Sequence, residues 1–196
     1  MTRPSPIPDL RPYESTLEAM RRIVPVRLDE LYVLAPAVAD PAATRDHHNM
    51  RIAAKRLRYT LEIFRFLNPD AFTPAITTVR LIQDQLGLIH DLDVFVPFCE
   101  RYLEHRRQEQ AAELGRLLFP GRASSDPPRA VADVRHTLDR GDGSAERRAL
   151  LRLIEHLRER RRQVFAEFQQ FWQSLVAAGF RDSLRAAIGV DTRAAG

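Results

Sequence analysis

The stretch that decides the fold of this chain is HHNMRIAAKRLRYTLE, residues 47–62. It contains neither glycine nor proline, and it is rich in arginine, alanine and leucine, which favour helices. Thr44 or Asp46 is suited to cap its start, and Asn68 followed by Pro69 is suited to end it. The stretch therefore predicts one long α-helix.

One side of this helix carries most of its charge. At about 100° per residue, an arc of roughly 100° collects the side chains of what we call the basic stripe: His48, Arg51, Lys55, Arg58, Glu62 and Arg65. Both flanks of the stripe are apolar, with Met50, Ala53, Leu57, Leu61 and Phe64 on one and Ile52, Tyr59, Ile63 and Leu67 on the other. Arg56 falls on the far side. A helix with two apolar flanks is predicted to pack between neighbours on both sides.

The basic stripe predicts a bound anion. Like charges at helical spacing repel one another, and the stripe sets five basic or titratable groups against one carboxylate, Glu62. Arginine presents a planar fork of donors that fits phosphate oxygens in pairs. The alternative is structural: carboxylates of neighbouring helices, such as Asp84, Asp91 and Asp93, neutralise the stripe.

Helical periodicity also marks the regions near the two ends of the chain. Apolar residues recur at three- and four-residue steps from Leu17 to Val38, on a helix that we expect to bend or break before Pro25. The last helix is expected to end at Gly179, and Arg161 interrupts its apolar seam. That seam consists of Leu150, Ile154, Leu157, Val164, Phe168, Phe171 and Leu175.

Two more helices are predicted directly after the basic stripe. Thr73 and Pro74 are suited to cap and begin the first of them, and Gly87 is expected to interrupt it. Asp91 is suited to cap the second, which runs from Leu92 to about Leu118.

These helices predict an all-α fold, an antiparallel bundle of long helices with a basic groove. The proline-rich residues 1–12 are expected to form a flexible arm, and residues 189–196 a tail. One helical domain is expected over 13–188, with a loop-rich connection at 120–144 and a short helix at 130–138 within it.

Composition limits the class of protein. The 196 residues include 8 Gly and are 44% hydrophobic, which suits helices better than strands. The single cysteine, Cys99, excludes a disulfide framework and is predicted to be a core thiol. No apolar run approaches the ~20 residues that span a bilayer, so we expect a cytoplasmic protein without membrane contact. Four histidines without partner spacing are expected at the surface: His47, His105, His136 and His156.

Two motifs resemble a known family, the conserved histidine α-helical domain, abbreviated CHAD. Its helix motif H-x-x-R-x-x-x-[KR]-[KR]-x-R is matched by His48, Arg51, Lys55, Arg56 and Arg58, and its usual continuation is similar to Tyr59 and Glu62. LGLIHDLDV, residues 86–94, resembles its second signature, L-G-x-x-x-D-x-D-V, with His90 at a position where Arg or Asn is more common. The resemblance covers about 44–98.

The resemblance implies an all-helical module that binds inorganic polyphosphate and has no catalytic activity, metal or cofactor of its own. Together with the stripe it implies the following polyphosphate-binding residues: His48, Arg51, Lys55, Arg56, Arg58 and Arg65, with Arg161 of the last helix closing the groove. Four residues are expected to support them as structural or ion-pair partners: Tyr59, Glu62, Asp91 and Asp93. The expected place of binding is the cytoplasm, at polyphosphate granules.

The family's full domain is similar to two four-helix bundles, each with its own basic helix, whereas the helix signature occurs once here. The resemblance therefore implies half of that architecture or a shortened form of it. A weak or ligand-promoted homodimer would supply a second stripe. Phe165, Phe168, Phe171 and Trp172 offer an apolar side for that contact, although we favour the alternative that they fill the chain's own core.

Two other functions fit parts of the sequence. His48, His90, Asp91 and Asp93 would suit a metal-dependent phosphohydrolase of the HD type, but the neighbouring cationic side chains oppose a metal ion. Nucleic acid is the second alternative, because a basic groove attracts any phosphate polymer. No nucleic-acid-binding motif is visible, and Tyr59 is the only aromatic residue interleaved with the stripe, so nucleic acid is not the expected partner.

Overall fold

The computed structural model describes residues 3–118 and 142–189, and all regular structure in these ranges is helical. It consists of α1 (Thr16–Tyr32), α2 (Thr44–Phe64), α3 (Pro69–Leu118), α4 (Asp142–Ala177) and α5 (Phe180–Ala187), with short 3-10 helices at Ala35–Ala39 and Arg65–Leu67. The predicted all-α class is confirmed. Of the helices that the structure describes, none combines the length and the apolar character needed to cross a membrane.

Contacts divide the chain into two compact units. One unit holds Met1–Asp91 and Arg161–Gly196, and the other holds Leu92–Arg160. The arm at 1–12 and the single domain over 13–188 stay predictions. The loop at 120–144 lies outside the described residues except at its end, where α4 already begins at Asp142; the helix at 130–138 and the tail after Gly189 also lie outside them.

α1 begins with a capping box and does not break at Pro25. The side chain of Ser15 accepts from the backbone N–H of Glu18, whose carboxylate accepts from the backbone N–H of Ser15 in return, and this lowers the pKa of Glu18. The expected break before Pro25 is wrong, because α1 runs through it to Tyr32. Val24 and Leu28, on either side of the proline, are completely buried, and their packing offsets the lost backbone hydrogen bond.

α2 confirms the helix predicted over the basic stripe, but it differs at both ends. Ala43 occupies the N-cap position and makes no side-chain hydrogen bond, so neither Thr44 nor Asp46 caps the helix. At its other end, α2 stops at Phe64 and tightens into a 3-10 turn before Asn68. The side of α2 that carries Met50, Ala53, Leu57 and Leu61 is buried, and α1 packs against α2.

α3 is one continuous helix where the sequence suggested two. It begins at Pro69, not at Thr73, because the side chain of Asn68 accepts a hydrogen bond from the backbone N–H of Ala71 and Pro69 fills the first helical position. Neither Gly87 nor Asp91 ends it: the helix runs 50 residues, to Leu118. The buried side chains Ile82, Leu86 and Ile89 hold the helix against its neighbours through the glycine.

The C-terminal end of α4 follows the prediction. α4 ends at Ala177, and Gly179 takes the left-handed conformation with φ at 67°, which favours glycine. Val164, Phe168 and Leu175 of the predicted seam are buried, while Arg161 is half-buried. Phe165 and Trp172 are also buried, so these aromatic residues fill the chain's own core. The predicted core thiol Cys99 is buried and unoxidised.

His47 is a core residue, and its predicted surface position is wrong. Its side chain is 1% exposed, its Nε2–H donates to the carbonyl oxygen of Ala37 at 2.8 Å, and its ring lies 4.9 Å from the ring of Phe165. The imidazole therefore ties the 3-10 turn before α2 to α4. The sequence around His47 gave no sign of this burial, because its hydrogen-bond partner, Ala37, lies in a separate 3-10 helix before α2.

We expect His47→Ala to lower the free energy of unfolding by roughly 2–4 kcal/mol, since it removes a packed, buried ring and one of the two N–H donors to the carbonyl of Ala37, the other being the backbone N–H of Asp40. Urea unfolding followed by circular dichroism measures the change. His105→Ala is the control, because that side chain is 68% exposed and should shift stability by no more than about 0.5 kcal/mol. Equal losses in the two variants would contradict a structural role for His47.

Candidate anion-binding site

The basic stripe lies on the side of α2 away from its most buried residues. His48, Arg51 and Arg58 are half-buried, and Lys55 is exposed. α3 contributes three residues to the same region: Arg80, Gly87 and His90, which contact Glu62, Arg51 and His48 respectively. The site is thus built by two helices, and the contacts between them run from His90 at one end to Arg80 at the other.

Arg51 packs against the backbone of α3. Its Nε atom lies 3.3 Å from the point that a Cβ atom on Gly87 would occupy. The Nε atom is buried and has no hydrogen-bond partner among the described residues. The guanidinium is therefore held by packing, and no described carboxylate within 4 Å neutralises it.

Arg58 and Lys55 share one aromatic neighbour. The guanidinium of Arg58 lies 4.6 Å from the ring centre of Tyr59, and the Lys55 Nζ lies 5.8 Å from it. Arg58 also pairs with Glu62 at 3.6 Å. Tyr59 and Glu62 therefore both contact Arg58, and their supporting role at the site stays a prediction. Lys55 forms no ion pair among the described residues.

Glu62 joins the two helices of the site. Its Oε1 atom lies 3.6 Å from Arg58 on α2 and 3.9 Å from Arg80 on α3. The side chain of Glu62 is 35% exposed, so each ion pair is weak by itself. One carboxylate between two guanidiniums leaves the local charge positive, which keeps this end of the site suited to an anion.

His48 contacts a second imidazole. Its ring centre lies 4.5 Å from that of His90, with 43° between the ring planes. Burial lowers the pKa of His48, and the nearby His90 and Arg51 lower it further. Protonating His48 therefore costs folding free energy, and that stability is lost as pH falls through the folded-state pKa. An unperturbed imidazole has a pKa of about 6.5, and the pKa of His48 in the free protein lies below that value.

Three nitrogen atoms of the stripe are buried without a hydrogen-bond partner within residues 3–118 and 142–189. They are His48 Nδ1, Arg51 Nε and Arg58 Nε. Buried polar groups are usually satisfied, because leaving one unpaired costs about 1–3 kcal/mol. Unpaired buried nitrogens also occur elsewhere among the described residues, at Nε of Arg106, Arg181 and Arg185, so these three atoms show only that polar groups on this face of α2 have no partner within the described part of the chain.

Three of the predicted ligands, Arg56, Arg65 and Arg161, either lie outside the group formed by His48, Arg51 and Arg58 or contact other residues. Arg56 lies 3.9 Å from Glu30 of α1, a carboxylate that also pairs with Arg27 and accepts from the backbone N–H of Ser5. Arg65 is exposed in the 3-10 turn after α2. Arg161 lies over the ring of Phe165 at 5.0 Å. Their roles as ligands stay predictions.

Two of the acidic residues that the structural alternative invokes do not neutralise the stripe. Asp84 and Asp91 are exposed, and neither forms an ion pair within 4 Å among the described residues. The predicted cap at Asp91 is wrong because α3 is continuous there. Asp93 is half-buried in the other compact unit, and its supporting role stays a prediction.

One flank of the stripe is open, contrary to the prediction that α2 is covered on both sides. Tyr59 is 45% exposed and Ile63 is 67% exposed. The opposite flank is buried, as at Leu57 and Leu61. A helical wheel cannot distinguish an apolar flank that is covered from one that is not, because the number of neighbouring helices is a tertiary property. The stripe therefore lies at the edge of the buried surface rather than in a narrow cleft.

Sequence reasoning did not assign Arg80 and Gly87 to the site. Arg80, Gly87 and His90 follow one another at seven- and three-residue steps, so they share one face of a helix. This helical spacing could have assigned Arg80 and Gly87 to the site. We expected Gly87 to end a helix, and the three residues share one face only if the helix continues through Gly87.

The fold and the site define a class: an all-helical protein with a basic surface built on two packed helices. Residues 6–100 match the family model of the CHAD domain, so this segment is identified as a CHAD domain. The match includes α1, α2 and every residue of the stripe. No curated protein and no solved structure matches the chain.

The pH dependence of His48 follows from its surroundings. We expect its imidazole to titrate below 6.5 in the free protein and at a higher pH with a polyanion bound, because the anion opposes the effects of His90 and Arg51. Affinity should rise as pH falls through this interval and level off below the pKa of the free protein. NMR titrations with and without ligand measure both values, with His48→Gln assigning the signal. A free-protein pKa at or above 6.5 would contradict the geometry.

Proposed function

We propose that this chain binds inorganic polyphosphate through His48, Arg51, Lys55 and Arg58, as a binding module without catalytic activity. The observation that carries the proposal is the state of Arg51: its guanidinium is held against α3, its Nε atom is buried without a partner, and no described carboxylate pairs with it. A tetrahedral phosphate accepts hydrogen bonds from an arginine fork and compensates its charge at the same time.

A linear polymer suits this arrangement better than a single small anion. The four side chains follow the axis of α2 at three- and four-residue steps, so they cover about 15 Å at 1.5 Å per residue. Several phosphates of one chain would be engaged together, and each contact adds to the affinity. Arg80 extends the basic surface from α3, beside Glu62. The match to the CHAD domain supports the polymer, because the resemblance implies polyphosphate as the ligand.

Nucleic acid is the competing ligand, and one observation favours it. Tyr59 is 45% exposed beside Lys55 and Arg58, and an exposed aromatic ring next to cations is a platform for a nucleic-acid base.

For the HD-type phosphohydrolase, the described residues offer no group of three His, Cys, Asp or Glu side chains that would hold a metal ion. We therefore keep polyphosphate as the ligand, in the cytoplasm and at polyphosphate granules.

Replacing Arg51, Lys55 and Arg58 together with alanine is expected to weaken binding of long-chain polyphosphate by about 100-fold or more, since charge-assisted hydrogen bonds are lost. The plot of log K against log salt concentration should become shallower by roughly 2, because each lost cation removes a slope of about 0.7–0.9. Helicity should persist, because alanine favours helices. Titration calorimetry at several salt concentrations provides the measurement.

The matched control removes the same charge elsewhere. Arg147, Arg148 and Arg152 are exposed on α4, and replacing them with alanine changes the net charge equally. This control should retain affinity within a few-fold. Polyphosphate, DNA and heparin are compared at one salt concentration. Equal losses in both triple variants, or equal affinity for the three polymers, would reduce the site to general electrostatic attraction and end the proposal of a polyphosphate reader.

We propose that this chain forms a weak homodimer and that polyphosphate promotes its formation. Two facing stripes repel each other without ligand, and a polyphosphate chain between them removes that repulsion. The aromatic residues first considered for the contact do not provide it, because Phe165, Phe168 and Trp172 are 4%, 0% and 5% exposed. The open flank of α2 at Tyr59 and Ile63 is the apolar surface next to the stripe.

Light scattering with and without long-chain polyphosphate tests this assembly. We expect a monomer in the free state and a two-to-one complex when the polymer is limiting, because ligand binding to the dimer shifts the equilibrium toward it. Ile63→Gln should weaken the dimer and leave binding of short polyphosphate intact, because it removes apolar surface without adding a charge. A monomer under all conditions, with one short chain bound per protomer, would rule the dimer out.

A further inference from the structure

Gly87 has no explanation in the backbone of α3. It lies in the interior of a long helix, where glycine is less favourable than alanine, and its φ is not positive. Gly179 and Gly189 differ in this respect, since both have positive φ values that favour glycine. The reason for glycine at position 87 must therefore come from what lies next to it.

The side chain of Arg51 lies next to Gly87. A Cβ atom at position 87 would come within 3.3 Å of the Arg51 Nε, which is closer than ordinary van der Waals contact. The buried Nε atom has no hydrogen-bond partner among the described residues, so packing against Gly87 is the contact that the structure shows at this atom. The absence of a Cβ atom is what allows the guanidinium to lie against α3.

We propose that Gly87 is a positioning residue that sets the place of the Arg51 guanidinium, and through it the affinity of the site for polyphosphate. This inference rests on the proposed function. A side chain at position 87 would displace the guanidinium from its present position against α3. A displaced arginine would keep its charge but lose its alignment with the other donors, and alignment is what bidentate contacts require.

Gly115 supplies a matched control on the same helix. A Cβ atom built there meets nothing within 4 Å. Gly87→Ala and Gly115→Ala therefore make the same chemical change in α3 and should both raise the midpoint of thermal unfolding by a few degrees, about 2–4 °C for a helix-propensity gain of this size. They differ only in the contact with Arg51.

The experiment measures polyphosphate affinity of the two variants beside their thermal stability. We expect Gly87→Ala to weaken binding by about threefold or more, the size typical of residues in direct contact, and Gly115→Ala to leave it unchanged. Loss of affinity without loss of stability is the outcome that a merely structural role for Gly87 would not give. Equal affinity in the two variants would overturn the proposal.

A double-mutant cycle isolates the pathway through Arg51. In the Arg51→Ala background, Gly87→Ala should have no further effect on affinity, because there is no guanidinium left to displace. If Gly87→Ala weakens binding equally in both backgrounds, glycine acts on something other than Arg51, and the positioning role is wrong.

A readout without ligand separates this inference from the proposed function. The Nε–Hε NMR signal of Arg51, assigned by its loss in Arg51→Lys, should shift in Gly87→Ala and stay in place in Gly115→Ala. If the signal shifts but the parent protein does not bind polyphosphate, the positioning of Arg51 stands and the ligand is wrong. An unchanged signal in Gly87→Ala overturns the positioning itself.

Discussion

The packing of α2 on α1 is the constraint on which the rest of the structure depends. Met50, Leu57 and Leu61 are completely buried, and each such side chain contributes about 1.5–3 kcal/mol relative to an exposed one. Burying this side fixes the rotation of α2 about its own axis. The direction of the basic stripe follows from that rotation, since every side chain on a helix is tied to the others at about 100° per residue.

The same packing makes a repulsive row of charges tolerable. His48, Arg51 and Arg58 are half-buried next to one another, and burial, His90 and Arg51 together lower the pKa of His48. At neutral pH the positive charge of the stripe therefore comes mainly from its arginines and lysine. The apolar side of α2 offsets the cost of holding them together, and the site keeps unpaired donors that a self-sufficient ion network would have used.

Some cationic side chains of the site are held in place by close contacts, and another lies on open surface. Gly87 and Glu62 fix two arginines at defined places, one by close packing and the other by an ion pair that also includes Arg80. Lys55 is exposed, and within the described residues its ammonium group contacts only the ring of Tyr59. A surface of this kind would suit the proposed polymer along its length, because alignment at a few fixed positions is combined with charge that adapts to the chain.

Helical periodicity, a local property of the backbone, was enough to predict the all-α class, the helix that carries the stripe and the side chains that share its charged face. Three predictions failed: His47 was placed at the surface, α3 was ended at Gly87, and the flank that holds Ile63 was expected to be covered. In the structure His47 donates to Ala37 of the preceding 3-10 helix, α3 continues through Gly87 with Leu86 buried beside it, and Ile63 is 67% exposed. Packing between helices set each of these outcomes, because burial and close approach are properties of packed surfaces rather than of the residues that form them.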